Sequence, residues 1–453
     1  MTVVEFRTPL PVDPAAAFAW HARPGALRRL LPPWQDVRVV AEQPAPGADS
    51  IVADGGRVEL SLPAGPLRRR WVARHRDCRP GESFTDEMER GPFARWRHRH
   101  SFSPGVDGCI LSDHIDYDPG FPAVLMSGTI RRDLARMFSF RHARTRADLA
   151  RHAAATTGPL AVAIAGASGL VGGALVPFLT TGGHTLRTIG RRDADIRWDP
   201  SGGRLDATAL EGIDAVVHLA GESVAQRWTP ASRQRMHDSR VQSTRLLATT
   251  LAGLRRPPRV LVVASAIGFY GLQDDDAARD ESAPAGTGFL ADICREWEAA
   301  ADPARAAGIR VVHLRIGMVL SAAGGALAKM LPAFRLGAGG PIGHGRQWQS
   351  WIHLDDLVDI IHRAVVDQRL DGAVNAVSPQ AVRQRDFAAV LGRVLRRPSF
   401  APLPAGVVSL LFGEMGRNLL LGGVHVAPSR LEGLGHTWRF PDLEGALRFE
   451  SGR

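Results

Sequence analysis

Leu160-Ala161-Val162-Ala163-Ile164-Ala165-Gly166-Ala167-Ser168-Gly169-Leu170-Val171-Gly172 decides how the chain is read. An apolar strand runs into three spaced glycines, and the glycines open a helix. Each glycine has a physical task. The first permits a tight turn, the second lets the backbone approach a pyrophosphate, and the third lets helix and strand pack closely. The helix N-terminus then presents free N–H groups and the positive end of its dipole. The stretch predicts a dinucleotide site at Gly166, Ser168, Gly169, Leu170, Val171 and Gly172.

The end of the next strand selects the cofactor. A carboxylate there would hold a ribose 2′-hydroxyl. The sequence instead reads Thr188-Ile189-Gly190-Arg191-Arg192, with Asp193 only afterwards. Arg191 and Arg192 fit charge-assisted bonds to a 2′-phosphate, which predicts NADP(H) rather than NAD(H). The alternative is a pair of solvated arginines in an arginine-rich chain. Further apolar strands at Ala215–Leu219, Arg259–Ala264 and Val311–Leu314 alternate with helical stretches. Repeated βα units imply an α/β Rossmann-type doubly wound parallel sheet over 160–375.

Upstream, 1–152 reads as an α+β unit. Val3–Arg7 is a first strand, and Asp13-Pro14 opens a helix with Asp as N-cap and Pro at the first helical position. Arg38–Val40, Val58–Leu62, Arg70–Arg74, Arg95–Phe102 and Cys109–Tyr117 are strand candidates, and a long helix runs from about Ile130 to Ala153. Glu87, Glu89, His98 and His100 read as the wet face of a sheet. Ala153–Pro159, small and ending in Gly-Pro, reads as a linker, and 376–453 as substrate-side elements with a small appended domain.

Hydrophobic residues make up 45% of the 453 and charged residues 23%, ordinary for a globular protein. The net charge of +10 comes from dispersed arginines, Lys329 being the sole lysine, so it does not point to nucleic acid. Cys78, Cys109 and Cys294 are three and far apart, which argues against a disulfide framework, and no cluster shows metal-ligand spacing in sequence. The N-terminus lacks a signal-peptide pattern, and Leu160–Leu179 and Gly406–Val426 are too interrupted to span a bilayer. The expectation is a cytoplasmic protein with no membrane insertion, no nucleic-acid partner and no bound metal; the oligomeric state is left open.

Two resemblances add to this. Strand, helix, antiparallel strands and long helix, with Phe138–Leu149 in that helix, resemble the SRPBCC or START-like helix-grip domains. That resemblance implies either an apolar ligand in the N-terminal domain or a core filled by Trp71, Trp96 and Phe102. Gly166–Gly172, Val216–Glu222, Ser265–Gly271 and Trp351–Asp356 resemble the extended, epimerase-type short-chain dehydrogenases. Ser239–Thr244 and Gly339–His353 are similar to a narrower group labelled nucleoside-diphosphate-sugar epimerases, which carries a C-terminal domain of unknown role. The resemblance implies that Leu219, Ala220, Gly221 and Arg315 line the cofactor, Arg315 with a structural role as its alternative, and that Glu222 and His353 face a small-molecule substrate; Arg346, in its glycine-rich stretch, is either a grip for a substrate phosphate or carboxylate or a solvated loop arginine. Asp355 and Asp356 would cap the following helix.

The catalytic part departs from that superfamily. Its members use Tyr-x-x-x-Lys, in which the lysine lowers the tyrosine pKa and the tyrosine exchanges a proton with the substrate. Aligned by Trp297-Glu298, those positions hold Leu290 and Cys294. Ser265 and Tyr270 remain as hydroxyls for catalysis, Tyr270 with a packing role as its alternative. The sequence therefore supports an NADP(H)-dependent oxidoreductase or epimerase with a non-standard active site. The alternatives are a non-catalytic NADP(H)-sensing and apolar-ligand-binding protein, and an N-terminal domain that is itself catalytic.

Overall fold

The computed structural model describes residues 2–121, 123–155, 157–273 and 275–453. Of the expected linker, Thr156 lies outside them. Two compact units result, one from Met1–Pro159 together with Val176–His184, which include the last turns of a helix that begins in the second, the other from Leu160–Leu175 and Thr185–Ser451.

The first unit starts with β1 (Thr2–Leu10), α1 (Pro14–Ala22) and α2 (Ala26–Leu30). Asp13 caps α1 by accepting from the Ala16 N–H at 2.8 Å. Six strands follow: β2 (Arg38–Gln43), β3 (Arg57–Ala64), β4 (Leu67–Arg79), β5 (Ser83–Arg90), β6 (Arg95–Gly105) and β7 (Gly108–Asp118); α3 (Ser127–Ala153) ends the unit. The strands form one antiparallel sheet in the order β1-β7-β6-β5-β4-β3-β2. The sheet grips α3: Phe6 of β1 stacks on Phe138 at 4.7 Å, and Phe138 packs with Trp96, Ile115, Tyr117 and Leu134. This is a helix-grip fold. Strand β5 has no counterpart in the sequence reading, because Asp86, Glu87 and Glu89 make it look polar; pairing with β4 and β6 overrides that preference.

The second unit holds β8 (Ala161–Ala165), α4 (Leu170–Thr181), β9 (Thr185–Gly190), β10 (Ile196–Asp199), β11 (Arg204–Leu205), β12 (Ala215–His218), α5 (Pro230–Ala252), β13 (Val260–Ala266), α6 (Phe289–Ala299), α7 (Asp302–Ala306) and β14 (Arg310–Ile316). Then come β15 (Met318–Ser321), α8 (Gly325–Arg335), β16 (Trp348–Gln349), β17 (Trp351–His353), α9 (Leu354–Val366), β18 (Gly372–Ala376), β19 (Val382–Arg383), α10 (Gln384–Leu395), α11 (Ala405–Leu419), α12 (Ser429–Gly433) and α13 (Leu443–Ser451). The main sheet runs β11-β10-β9-β8-β12-β13-β14-β18, parallel except for β11. The strand order reverses between β8 and β12, and in such sheets the ligand crevice lies beyond the carboxyl ends of the strands at this point. Val162, Ala163, Ile164, Val216, Val217, Leu261, Val262 and Val311 are fully buried, as a sheet covered on both faces requires. A second core joins Leu327 and Leu331 of α8, Trp351, Leu391 of α10 and Leu447 of α13.

Candidate cofactor and active site

The glycine turn separates two demands. Gly166 has φ +86°, and a Cβ there would lie 2.7 Å from the Ala220 nitrogen and the Leu219 carbonyl carbon. A Cβ on Gly172 would meet the Gly166 oxygen at 2.2 Å. The protein's own packing forces both. Gly169 differs: its φ is not left-handed, and a Cβ would touch nothing nearer than the Gly166 oxygen at 3.4 Å. The space in front of Gly169 and the exposed Ser168 is open, as a cradle for a phosphate needs. The residues present therefore fit a dinucleotide. Leu170 and Val171, half-buried, begin α4.

At the end of β9, Arg191 and Arg192 are exposed, and among the described residues neither has an ion-pair partner. The nearby Asp195 is already engaged. Its carboxylate accepts from the Thr188 N–H at 2.7 Å and from Thr188 Oγ1 at 2.8 Å, bonds that hold it below the ordinary carboxylate range. After β12, Leu219 donates its N–H to the Ala165 carbonyl at 2.8 Å, which brings Leu219, Ala220 and Gly221 beside the glycine turn. Glu222 accepts from Gln226 Nε2 at 2.9 Å and Arg235 Nε at 3.0 Å, and these bonds, the Gln226 bond foremost, lower its pKa.

Ser265, Tyr270 and Arg315 come together, though not as three open groups. Ser265 on β13 lies opposite Arg315 on β14. Ser265 Oγ donates to Glu298 Oε1 at 2.7 Å. Arg315 grips both oxygens of Glu298, each at 2.9 Å, and donates to Tyr270 Oη at 3.0 Å. Tyr270 in turn donates to Asn375 Oδ1 at 2.7 Å. Tyr270 is 1% exposed and Ser265 3%. Burial pushes the Tyr270 pKa above its ordinary value despite Arg315. Arg315 also covers the Phe269 ring, 3.4 Å from its centroid. Cys294, at the expected lysine position, is buried, and burial together with Glu298 pushes its thiol up to about 12. Sequence reasoning used Glu298 only as an alignment mark and missed Asn375. The available signal was Glu298 following Cys294 by one helical turn.

His353 is fully buried rather than facing a crevice. Its Nδ1 accepts from the Asp355 N–H at 3.1 Å, its Nε2 lies 2.9 Å from Glu450 Oε1, and its ring lies 4.0 Å from Phe440. His353 is itself the cap of α9, and the aspartates expected to cap that helix sit in its first turn. Asp356 accepts from the N–H groups of Arg439 and Phe440 at 2.7 and 3.0 Å, and Asp355 accepts from Arg439 at 3.1 Å. They tie down the C-terminal segment. Arg346 is exposed in a glycine-rich turn, with its own N–H donating to His344 Nδ1 at 3.0 Å.

In the first unit, His98 and His100 are 2% and 6% exposed, so the wet-face reading is overturned for the two histidines, while Glu87 is half-buried and Glu89 exposed. On β6 the alternating Arg95, Arg97 and Arg99 point to water and Trp96, His98, His100 and Phe102 point in. Both residue types are polar, but the two imidazoles meet a buried carboxylate inside, Asp113 Oδ1 lying 2.9 Å from His98 Nε2 and 2.6 Å from His100 Nδ1. Asp86, also part of this group, lies opposite His98 on β5. The interior is thus not uniformly apolar.

Comparisons with known proteins agree with this geometry. Residues 162–376 match the NAD dependent epimerase/dehydratase family, 403–450 a domain of unknown function (DUF1731), and 10–140 the polyketide cyclase/dehydrase and lipid transport family. Epimerase family protein Mb2239 of Mycobacterium bovis is 41% identical over 297 residues, which cover 64% of this chain and 98% of that protein. A crystal structure of a nucleoside-diphosphate sugar epimerase from Corynebacterium glutamicum superposes with TM-score 0.80 at 33% identity, covering all 100% of this chain and 90% of that one. Human epimerase family protein SDR39U1 (isoform 2), crystallised with NADPH, gives TM-score 0.59 at 34% identity over 64% of this chain and 99% of its own. Among the described residues, no helix is long and apolar enough to cross a membrane. With its glycine turn, its reversed strand order and these relatives, the chain belongs to the NAD dependent epimerase/dehydratase family.

Proposed function

We propose that the protein is an NADP(H)-dependent oxidoreductase or epimerase acting on a small carbonyl or hydroxyl compound. The observation that carries this is Gly169, a glycine that internal packing does not require and that faces open space in the turn. Arg191 and Arg192, without ion pairs among the described residues while Asp195 is engaged, support the phosphorylated cofactor, and so does NADPH in the human relative. The name of the Corynebacterium relative makes a nucleoside-diphosphate sugar one substrate to test, with Arg346 placed in a turn suited to gripping its phosphates.

The bound cofactor would supply or accept the hydride. The chain's own residues would move the proton. In the oxidation direction, Ser265 Oγ takes the proton of the substrate hydroxyl as it passes its own to Glu298 Oε1, 2.7 Å away. Arg315 fixes the Glu298 carboxylate, and Tyr270, bonded to Arg315 and Asn375, positions Arg315. Leu290 and Cys294 take no part in this relay.

A specific observation also favours a second reading, a non-catalytic NADP(H) binder: the buried hydroxyls of Ser265 and Tyr270 are already satisfied by protein groups. Calorimetric titration with NADPH and NADH, followed by turnover of a carbonyl and sugar-nucleotide panel, separates the two. The enzymatic reading expects turnover that Ser265→Ala and Glu298→Gln abolish while NADPH still binds. NADPH binding with no turnover across the panel gives the case to the binder.

A further inference from the structure

The interior of the first unit holds an assembly that the dinucleotide site does not use. Asp86 on β5 and His98 and His100 on β6 bring three donor atoms within 4.8 Å of one another. Asp86 Oδ2 stands 3.3 Å from His100 Nε2 and 3.8 Å from His98 Nδ1. For metal–ligand bonds of about 2.1 Å, tetrahedral geometry separates ligand atoms by about 3.4 Å, so this spacing fits one small cation.

The surroundings are those of a ligand set. A histidine bound to a metal through one nitrogen usually directs the other to a carboxylate, which fixes its tautomer. Here the second nitrogens of both rings face the same acid: His98 Nε2 lies 2.9 Å from Asp113 Oδ1 and His100 Nδ1 2.6 Å from that oxygen. Asp113 is anchored from α3 by His142 Nε2 at 2.5 Å. A hydrogen-bonded core explains only part of this. His75 Nδ1 approaches Asp86 Oδ1 to 2.6 Å, while His100 Nε2 meets Asp86 Oδ2 only through a long hydrogen bond of 3.3 Å. His75 and His100 are each 6% exposed. Imidazole nitrogens and carboxylate oxygens that converge at such distances offer the lone pairs that a cation joins. The carboxylates of buried Asp113 and partly buried Asp86 favour positive charge between them, which a dication supplies. Phe84 stacks on His100 at 4.2 Å, and Phe138 meets His98 edge-on at 5.2 Å, closing an apolar shell around the polar centre.

We propose that the helix-grip unit binds one divalent transition-metal ion through Asp86, His98 and His100, with Asp113 and His142 as the supporting layer and His75 beside Asp86 as a further nitrogen donor. Imidazole and carboxylate donors suit zinc, iron(II), cobalt(II) or nickel(II) rather than magnesium or calcium.

The test uses the full chain carrying no affinity histidine tag. It is stripped with a chelator and titrated with zinc against a chromophoric competitor, then with cobalt(II) while its visible absorption is followed. The expected result is one zinc per chain and a cobalt spectrum of tetrahedral intensity. Zinc affinity should fall at least tenfold in Asp86→Asn and in His98→Gln, while NADPH still binds. If a variant fails to fold, the wild-type cobalt spectrum decides alone. Two results overturn the proposal: wild-type protein that takes up no stoichiometric zinc or cobalt, leaving the cluster a hydrogen-bonded core, and metal uptake that neither variant alters.

Discussion

Substituting two glycines of one turn should separate folding from binding. In Gly172→Ala the new Cβ lies 2.2 Å from the Gly166 oxygen, well inside contact distance, so backbone must move by about 1 Å. Overpacking of this kind costs about 1–3 kcal/mol. In Gly169→Ala the nearest atom is 3.4 Å away and the backbone is not left-handed, so no strain arises. Removing unfolded-state freedom even favours the alanine, by about 0.4–1 kcal/mol. Its cost should fall on the ligand. A methyl between the turn and a pyrophosphate weakens the N–H to phosphate bonds, each worth about 1.5–3 kcal/mol, which corresponds to roughly ten- to hundredfold in Kd. Urea denaturation and NADPH calorimetry on both variants read the two quantities. Gly172→Ala should lose stability. Gly169→Ala should keep or slightly raise its urea midpoint and lose NADPH. Wild-type NADPH affinity in Gly169→Ala would refute the assignment of that glycine to phosphate approach.

Three further outcomes are expected. Arg191→Ala combined with Arg192→Ala should weaken NADPH by tenfold or more and leave NADH unchanged in calorimetry, since only the 2′-phosphate is affected. Cys294, its thiol pushed up to about 12 and buried, should stay unmodified by iodoacetamide at pH 8 in native protein and react after unfolding, as peptide mass spectrometry will show. His218 is fully buried, and burial together with Arg240 lowers its pKa to about 4. The unfolded chain therefore binds a proton below about pH 6.5 that the folded chain refuses. His218 thus favours the fold less as pH falls from 6.5 toward 4, by about 2 kcal/mol at pH 5. Urea midpoints at pH 7.5 and 5 should differ less in His218→Leu than in wild type.

The fold was legible wherever one signal dominated. Gly166 to Gly172 gave the turn because two of its glycines are sterically compelled, and Asp13-Pro14 gave the start of α1 because cap chemistry is local. Strand β5 was not legible: its burial depends on β4 and β6, and Thr85-Asp86-Glu87 taken alone resembles a loop. The sites divide in the same way. Arg191 and Arg192 follow from their place after β9. His353 carries a motif that suggests a crevice, but its partner Glu450 is distant in sequence, and no local pattern reveals that pairing. The pair His98 and His100 was visible as alternate residues of one strand. Which face of that strand was wet depended on the arginines between them, and on Asp86 and Asp113 arriving from neighbouring strands.

The pH dependence of turnover tests what replaced Tyr-x-x-x-Lys. A tyrosine relay in the oxidation direction needs a phenolate, so its rate climbs into alkaline pH unless a nearby cation lowers the pKa. Cys294 supplies no such cation, and burial raises the Tyr270 pKa. Tyr270 Oη is also committed to Asn375 and Arg315. A relay through Ser265 to Glu298 needs no phenolate. The oxidation rate should then show no rise into alkaline pH. Glu298→Gln should abolish turnover, whereas Tyr270→Phe, which keeps the ring against Phe269 and deletes one bond to Arg315, should lower kcat and preserve the profile's shape. A rate that rises through pH 9 in wild type and loses that rise in Tyr270→Phe would instead make the tyrosine the proton acceptor and Glu298 a structural partner of Arg315.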